Sequence, residues 1–279
     1  MANFVLVHGA WHGGWCWQRV TSALQQQGHR VHAVTLTGLG ERSHLLSPAI
    51  NLDTHINDVI NLIEAEELDE LVLAVHSYAG MIGTAVADRL GSSALALAAS
   101  RAFGVALPLS LEKGAVSPCG GPAAKRPGRI KHLVYVDAVV PKPGESWSST
   151  QASATQQQRM AAAQASPNFS FASPDPAVFG LQGADRDWVQ RRQTPHPGNT
   201  YQAPLSFDVQ RVAAVPRTFV NCTHPALPTI ATSRLRVQDP TFWGGAWLPN
   251  AKVIELRTGH DAMISEPAAL AQILLDCAG

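Results

Sequence analysis

Short apolar runs rich in β-branched residues alternate along this chain with stretches whose apolar residues recur at helical spacing. Phe4–Val7 is a strand-like run that closes at His8-Gly9. Trp17–Gln27 reads as a helix with Val20 and Leu24 four apart, and Arg30–Leu36 as the next strand. Asp53 or Thr54 is the expected cap of a helix whose Ile56, Val59, Ile60 and Ile63 follow i, i+3, i+4, i+7 spacing. Leu71–Val75 reads as a strand and Ala79–Leu90 as a helix. Three more strands, Ile130–Val136, Thr218–Cys222 and Lys252–Leu256, precede a last helix, Pro267–Cys277. Alternation of this kind predicts a parallel sheet with helices on both faces.

Composition removes several function classes. At 279 residues the chain has room for one large or two small domains. Lys+Arg and Asp+Glu are 21 each, so it lacks the basic excess of a dedicated nucleic-acid binder. With 46% hydrophobic and 15% charged residues it has ample material for a core. The longest apolar run, Ala94 to Leu111, is broken by Ser100, Arg101, Gly104 and Pro108 and does not match a membrane span. Met1-Ala-Asn leads into Phe4-Val-Leu-Val with no basic n-region and no cleavage site, which predicts a cytoplasmic protein unless a leader was trimmed away. Cys16, Cys119, Cys222 and Cys277 are scattered, form no CxxC, and read as free, mostly buried thiols.

Two segments interrupt the alternation. Residues 141–212 are rich in Gln, Ala, Ser and Pro and carry Trp147, Phe169, Phe171, Phe179, Trp188 and Tyr201. They follow a strand, so they leave the C-terminal edge of the sheet, where ligands bind in open α/β folds. The expectation is a mostly helical cap with an apolar underside, over a core made of residues 1–140 and 213–279. An excursion with its own small core is the alternative. The second insertion, 91–129, follows a helix and precedes a strand, which puts it at the opposite edge. Its second half, from Gly114 to Gly128, is loop-like.

Candidate chemistry sits where strands end. Leu71-Val-Leu-Ala-Val runs into His76-Ser77-Tyr78 and a helix rich in small residues, the context of a nucleophile elbow that lifts a serine hydroxyl above the sheet edge. Ser77 as a plain helix cap is the competing reading. Val75 and Ala79 stand where G-x-S-x-G has glycines, and the branched Val75 is expected to crowd the turn. The loop His8-Gly9-Ala10-Trp11-His12-Gly13-Gly14 could aim the Ala10 amide at an oxyanion, with Tyr78 as the second donor; a tight turn that needs glycine explains it equally. His8 and His12 have no further ligand spacing that would support a metal. His260, after the last strand, fits the nucleophile–acid–histidine order as the base for Ser77. The acid is harder to place. The slot after Thr218–Cys222 reads Asn221-Cys222-Thr223-His224-Pro225, without a carboxylate. Asp137, at the end of Leu133–Val136, is the preferred acid and Asp239 the reserve; capping of the following connection is the other role open to Asp137. Asp261 adjoins His260 and is expected to point elsewhere.

Taken in order, these segments resemble the α/β-hydrolase superfamily. More narrowly they are similar to bacterial esterases, plant methylesterases of the salicylate-binding type and plant hydroxynitrile lyases. The resemblance rests on Val5-Leu-Val-His-Gly-Ala-Trp-His-Gly-Gly-Trp15, Thr35-Leu-Thr-Gly-Leu-Gly-Glu-Arg-Ser-His44, Asp53-Thr-His-Ile-Asn-Asp58, His76-Ser-Tyr78, Leu133-Val-Tyr-Val-Asp-Ala138 and Thr258-Gly-His-Asp-Ala-Met263. It implies a Ser–His–Asp triad, no cofactor, no metal, a small helical cap, a six-stranded parallel sheet and a homodimer. The lyases carry Thr at the position of Gly9 and Lys at that of Asp261, so the resemblance favours hydrolysis of a small, fairly apolar ester. Triad-dependent lyase or C–C-bond hydrolase chemistry, or non-catalytic binding of a small molecule, are the alternatives. With His224-Pro225 in the usual acid slot, either the acid has moved to Asp137 or the triad is impaired.

Overall fold

The computed structural model describes residues 1–91 and 129–279. Apart from its two end residues, the insertion 91–129 lies outside the described residues, as does Cys119. The core runs β1 (Asn3–Val7), α1 (Gln18–Gln26), β2 (Arg30–Val34), α2 (Leu52–Ala65), β3 (Leu71–His76), α3 (Ala79–Leu90) and β4 (Ile130–Val136). An excursion follows with α4 (Ser153–Ala165), β5 (Ser170–Phe171), α5 (Gly183–Gln190), β6 (His196–Pro197), α6 (Asn199–Gln202) and α7 (Val209–Ala213). The chain then re-enters the sheet at β7 (Arg217–Cys222), leaves it again with α8 (Ala231–Arg236), and ends with β8 (Ala251–Leu256), α9 (Ala262–Ser265) and α10 (Pro267–Ala278).

The sheet has six strands in the order β2-β1-β3-β4-β7-β8, and every pairing is parallel. Successive strand side chains point to opposite faces, and the two faces can be followed residue by residue. Val5, Val7, Leu71, Leu73, Val75, Leu133, Tyr135 and Phe219 pack with α2 and α3 through Ile56, Val59, Ile63, Met81, Ile82 and Val86. Phe4, Leu6, Val72, Ala74, Val134, Val136 and Val220 pack with α1 and α10 through Val20, Leu24, Leu270 and Leu274. All six residues of β3 are buried, as expected for a central strand covered on both faces. The strand order reverses between β1 and β3, so the loops after these strands diverge and open a crevice there. No helix of the described residues is long and apolar enough to cross a membrane.

Two expectations change. Helix α2 begins at Leu52 and is capped by Asn51, not by Asp53 or Thr54. The Asn51 carboxamide accepts from the Thr54 amide at 3.0 Å, and the Thr54 hydroxyl takes the reciprocal bond from the Asn51 amide. In the excursion 141–212 the helices are mostly solvent-facing; Ala163 is the one buried residue of α4. The apolar underside comes from Trp147, Phe171 and Phe179, which lie outside the α-helices, and from Tyr201 in the short α6, and these join the sheet's own hydrophobic cluster rather than forming a separate core.

The crowding expected from Val75 is also absent, and the reason lies in α3. A Cβ added to Gly83 would stand 2.7 and 2.9 Å from the two Val75 methyls. The volume given up at the helix is the volume occupied by the strand residue. Gly83→Ala is therefore expected to destabilise the protein by about 1–3 kcal/mol through overpacking, despite the better helix propensity of Ala. In a Val75→Ala background the same change should lose much less. Urea unfolding of the four-member cycle checks this, and equal losses in both backgrounds would contradict it.

Candidate active site

Ser77 sits between β3 and α3 with φ +56, in the left-handed region that non-glycine residues rarely occupy. Neighbouring backbone holds it there. The Ser77 amide donates to Val136 O at 3.3 Å, and the Ser77 carbonyl accepts from Gly80 and Val139 amides at 3.1 and 2.9 Å. Two glycines make the approach feasible. A Cβ on Gly80 would lie 1.9 Å from Val139 O, so the exit of β4 runs directly against the first turn of α3. A Cβ on Gly9 would lie 2.7 Å from Ser77 Cβ. Among the described residues the Ala10 and Tyr78 amides donate to no protein acceptor.

His260 and Ser77 line one cavity of about 200 Å3. The Nδ1 of His260 donates to Asp137 Oδ2 at 2.7 Å, which leaves Nε2 as the basic nitrogen of the neutral ring. Asp137 is fully buried and also takes a left-handed conformation, φ +40. Both of its oxygens accept from Arg234 Nη2, at 2.8 and 2.9 Å. The other Arg234 nitrogens donate to Asn221 Oδ1 at 2.9 Å and Leu227 O at 2.7 Å. A guanidinium thus occupies the region just after β7 where the sequence has no carboxylate, and it neutralises the carboxylate at the tip of the adjacent β4. Nothing in the spacing of residues 223–250 announces Arg234. Asp239 lies elsewhere: it is exposed, and its carboxylate accepts from the Thr241 amide and hydroxyl at 2.8 and 2.7 Å. His224 is exposed as well.

Asp261 bonds to His12 rather than to the His260–Asp137 pair: His12 Nε2 lies 3.2 Å from Asp261 Oδ2, and His76 Nε2 lies 3.5 Å from Asp261 Oδ1. The other His12 nitrogen lies 2.7 Å from Ala10 O. Both ring nitrogens face acceptors, so both carry protons and the ring is cationic. Burial opposes that charge, but the Asp261 carboxylate and its hydrogen bond hold His12 above its usual pKa. The sequence offers His12 only as a metal ligand without supporting spacing, and gives no signal of this second buried His–Asp pair, which clamps the Ala10 carbonyl.

Four other buried histidines, His8, His55, His76 and His196, are neutral, and their partners identify the tautomers. His8 Nδ1 donates to Gly9 O at 2.7 Å while Nε2 accepts from the Leu36 amide at 3.1 Å. His55 Nε2 donates to Thr37 O at 2.9 Å, so Nδ1 accepts from Tyr78 OH at 3.1 Å. His76 Nε2 donates to His260 O at 3.1 Å. The Thr200 hydroxyl gives its proton to Pro197 O, so it accepts from His196 Nε2 at 2.8 Å. Burial lowers all four, His8 to about 3 and His55 to about 4. His76, His260 and Asp261 are the three residues among those described whose ligand atoms cluster within 4.8 Å. His76 Nε2 is already given to the His260 carbonyl, and Asp261 Oδ2 to His12. Among the described residues His76 Nδ1 and Asp261 Oδ1 are buried without a hydrogen-bond partner.

Comparison with known proteins agrees with this architecture. Residues 4–273 match the profile described as the alpha/beta hydrolase family. The chain belongs to that family. A carbendazim hydrolyzing esterase of Nocardioides sp. (strain SG-4G) is 34% identical over 282 residues, covering 98% of each chain. Methylesterase 7 of Arabidopsis thaliana is 24% identical, covering 99% of this chain and 96% of the plant protein. Among solved structures, an extracellular α/β-hydrolase from a Paenibacillus species superposes with a TM-score of 0.70 at 20% identity, covering 100% of this chain and 99% of that one. With full-length esterase relatives of this kind, the chain is a carboxylic-ester hydrolase by class.

The neutral histidines give stability a defined pH dependence. Each binds a proton near pH 6.5 when unfolded but only at lower pH when folded. The stability they allow is therefore complete above about pH 6.5 and lost as pH falls, by about 1.4 kcal/mol per pH unit for each. His12 has the opposite sign: its contribution is full below pH 6.5 and fades as pH rises through its elevated folded pKa. Thermal unfolding followed from pH 7.5 to 5 should show a Tm that drops ever more steeply below pH 6.5. A flat profile would contradict the neutral assignments.

Proposed function

We propose that this enzyme hydrolyses a small, fairly apolar carboxylic ester through Ser77, His260 and Asp137, with residues 141–212 as the cap over the site. The observation that carries the reading is the 2.7 Å bond from His260 to the buried Asp137, on the wall of the cavity that Ser77 also lines. Ser77 Oγ attacks the ester carbonyl carbon and its proton passes to His260 Nε2. Negative charge gathers on the carbonyl oxygen, where the Ala10 and Tyr78 amides are free to donate. The tetrahedral species collapses to an acyl-enzyme as His260 returns the proton to the departing alcohol. Water, deprotonated by the same nitrogen, then releases the carboxylic acid and restores Ser77. Asp137 keeps the proton on Nδ1 and stabilises the imidazolium, while Arg234 holds Asp137 in place.

Several features support hydrolysis over cyanide elimination. Gly9 has no room for a larger side chain beside Ser77. The position after His260 holds an anion committed to His12 rather than a free cation. The relatives named as a carbendazim esterase and a methylesterase point to small esters, and aromatic or methyl esters are the substrates of choice. Against a panel of p-nitrophenyl acyl esters, Ser77→Ala should lose about 10^3-fold or more in kcat, and Asp137→Asn about 10^2–10^4-fold. Asp239→Asn should stay within about twofold, as surface changes away from a site do. A fluorophosphonate should label the parent enzyme and not Ser77→Ala. Turnover that survives Ser77→Ala, or dies in Asp239→Asn, would refute the assignment.

A further inference from the structure

One cavity wall carries a cation that the catalytic scheme does not use. Arg159 projects from α4, and its guanidinium carbon lies 4.9 Å from the Trp147 ring centre, 5.3 Å from those of Trp11 and Tyr201, and 5.7 Å from that of Phe171. Its Nη1 donates to Gln151 Oε1 at 2.8 Å, an amide oxygen that also accepts from Tyr201 OH at 3.0 Å. Among the described residues Arg159 has no carboxylate partner, whereas the half-buried Arg234 and Arg236 each have one. The lining of the cavity includes Arg159, Ser77, His260 and the cationic His12, and contains no Asp or Glu. Aromatic faces hold a guanidinium in place and attract it, but they leave its in-plane N–H donors unneutralised. Burial accordingly pulls Arg159 below its usual pKa. A planar fork of donors, fixed by rings and facing a small cavity without acids, matches a carboxylate.

We infer that Arg159 is a specificity-determining residue, and that the ester cleaved by Ser77 carries a second, anionic group, a carboxylate on a small aromatic or aliphatic frame, that pairs with the Arg159 guanidinium. The inference rests on the assignment of Ser77 as the nucleophile in this cavity. The aromatic walls take up the frame, Arg159 takes the carboxylate, and the reacting carbonyl is left to Ser77. The ring cluster keeps Arg159 ordered before substrate arrives, so little side-chain entropy is lost on binding.

The test compares 4-acetoxybenzoate with 4-acetoxybenzamide, which have the same shape and differ in charge. Parent enzyme should favour the carboxylate in kcat/KM. In Arg159→Gln the ratio of the two should fall at least tenfold, mainly through KM, and Arg159→Lys should recover part of it. A ratio unchanged within twofold in Arg159→Gln would overturn the inference. A second readout does not need turnover. Quenching of tryptophan fluorescence, with Trp11 and Trp147 beside Arg159, should show benzoate binding to the parent protein at least tenfold more tightly than benzamide. Equal binding would overturn the inference even if the variants fail to fold. Carboxylate-selective binding with no hydrolysis of either acetate, and no fluorophosphonate labelling, would leave Arg159 assigned and refute the Ser77 assignment instead.

Discussion

The site is organised around the buried carboxylate of Asp137. An isolated anion with no exposure to water would not survive in this setting, and two cationic or proton-donating groups converge on it. His260 donates from one side at 2.7 Å and Arg234 spans both oxygens at 2.8 and 2.9 Å. The three residues come from different connections: His260 after β8, Arg234 in α8 after β7, and Asp137 after β4. One carboxylate therefore ties together three exits of the sheet, and Arg234 also bonds to Asn221 in β7 and to Leu227, which lines the cavity. Removing either partner would strand a buried charge, which is why such networks tolerate replacement as a unit far better than piece by piece.

A second charge arrangement lies behind the first. His12 and Asp261 form a buried ion pair, while His8, His55, His76 and His196 are kept neutral by burial. The two kinds of histidine do different work. The neutral rings serve as fixed donors and acceptors: His55 receives the Tyr78 hydroxyl, and His76 holds the carbonyl of His260. The charged ring holds the Ala10 carbonyl and faces the cavity. Positive charge gathers where an oxyanion would form, and the acids that balance it stay out of the cavity lining.

Close backbone approach is the other constraint. Gly9 clears the space beside Ser77, Gly80 admits the exit of β4, and Gly83 admits the Val75 side chain. The motif glycine missing from the strand side of the elbow has its counterpart in the facing helix. Steric room at an elbow belongs to the pair of surfaces in contact, so it can be supplied from either one.

Much of this was legible in the chain itself. Six parallel strands follow from apolar periodicity, because a half- or fully buried strand selects its residues one at a time along the sequence. Ser77, Ala10, Tyr78, Asp137 and His260 stand out because each sits at a strand end, and strand ends are local signals. The acid was legible only as a preference, Asp137 ahead of Asp239 by position, and packing buries the first beside His260 and leaves the second on the surface. Arg234 meets Asp137 across 97 residues of sequence and His12 meets Asp261 across 249, while Arg159 sits on an excursion helix beside rings as far apart as Trp11 and Tyr201. Periodicity reports which face of an element is dry. Where charged side chains from distant segments meet is decided by the cost of burying them alone, and that is settled only when the whole chain is packed.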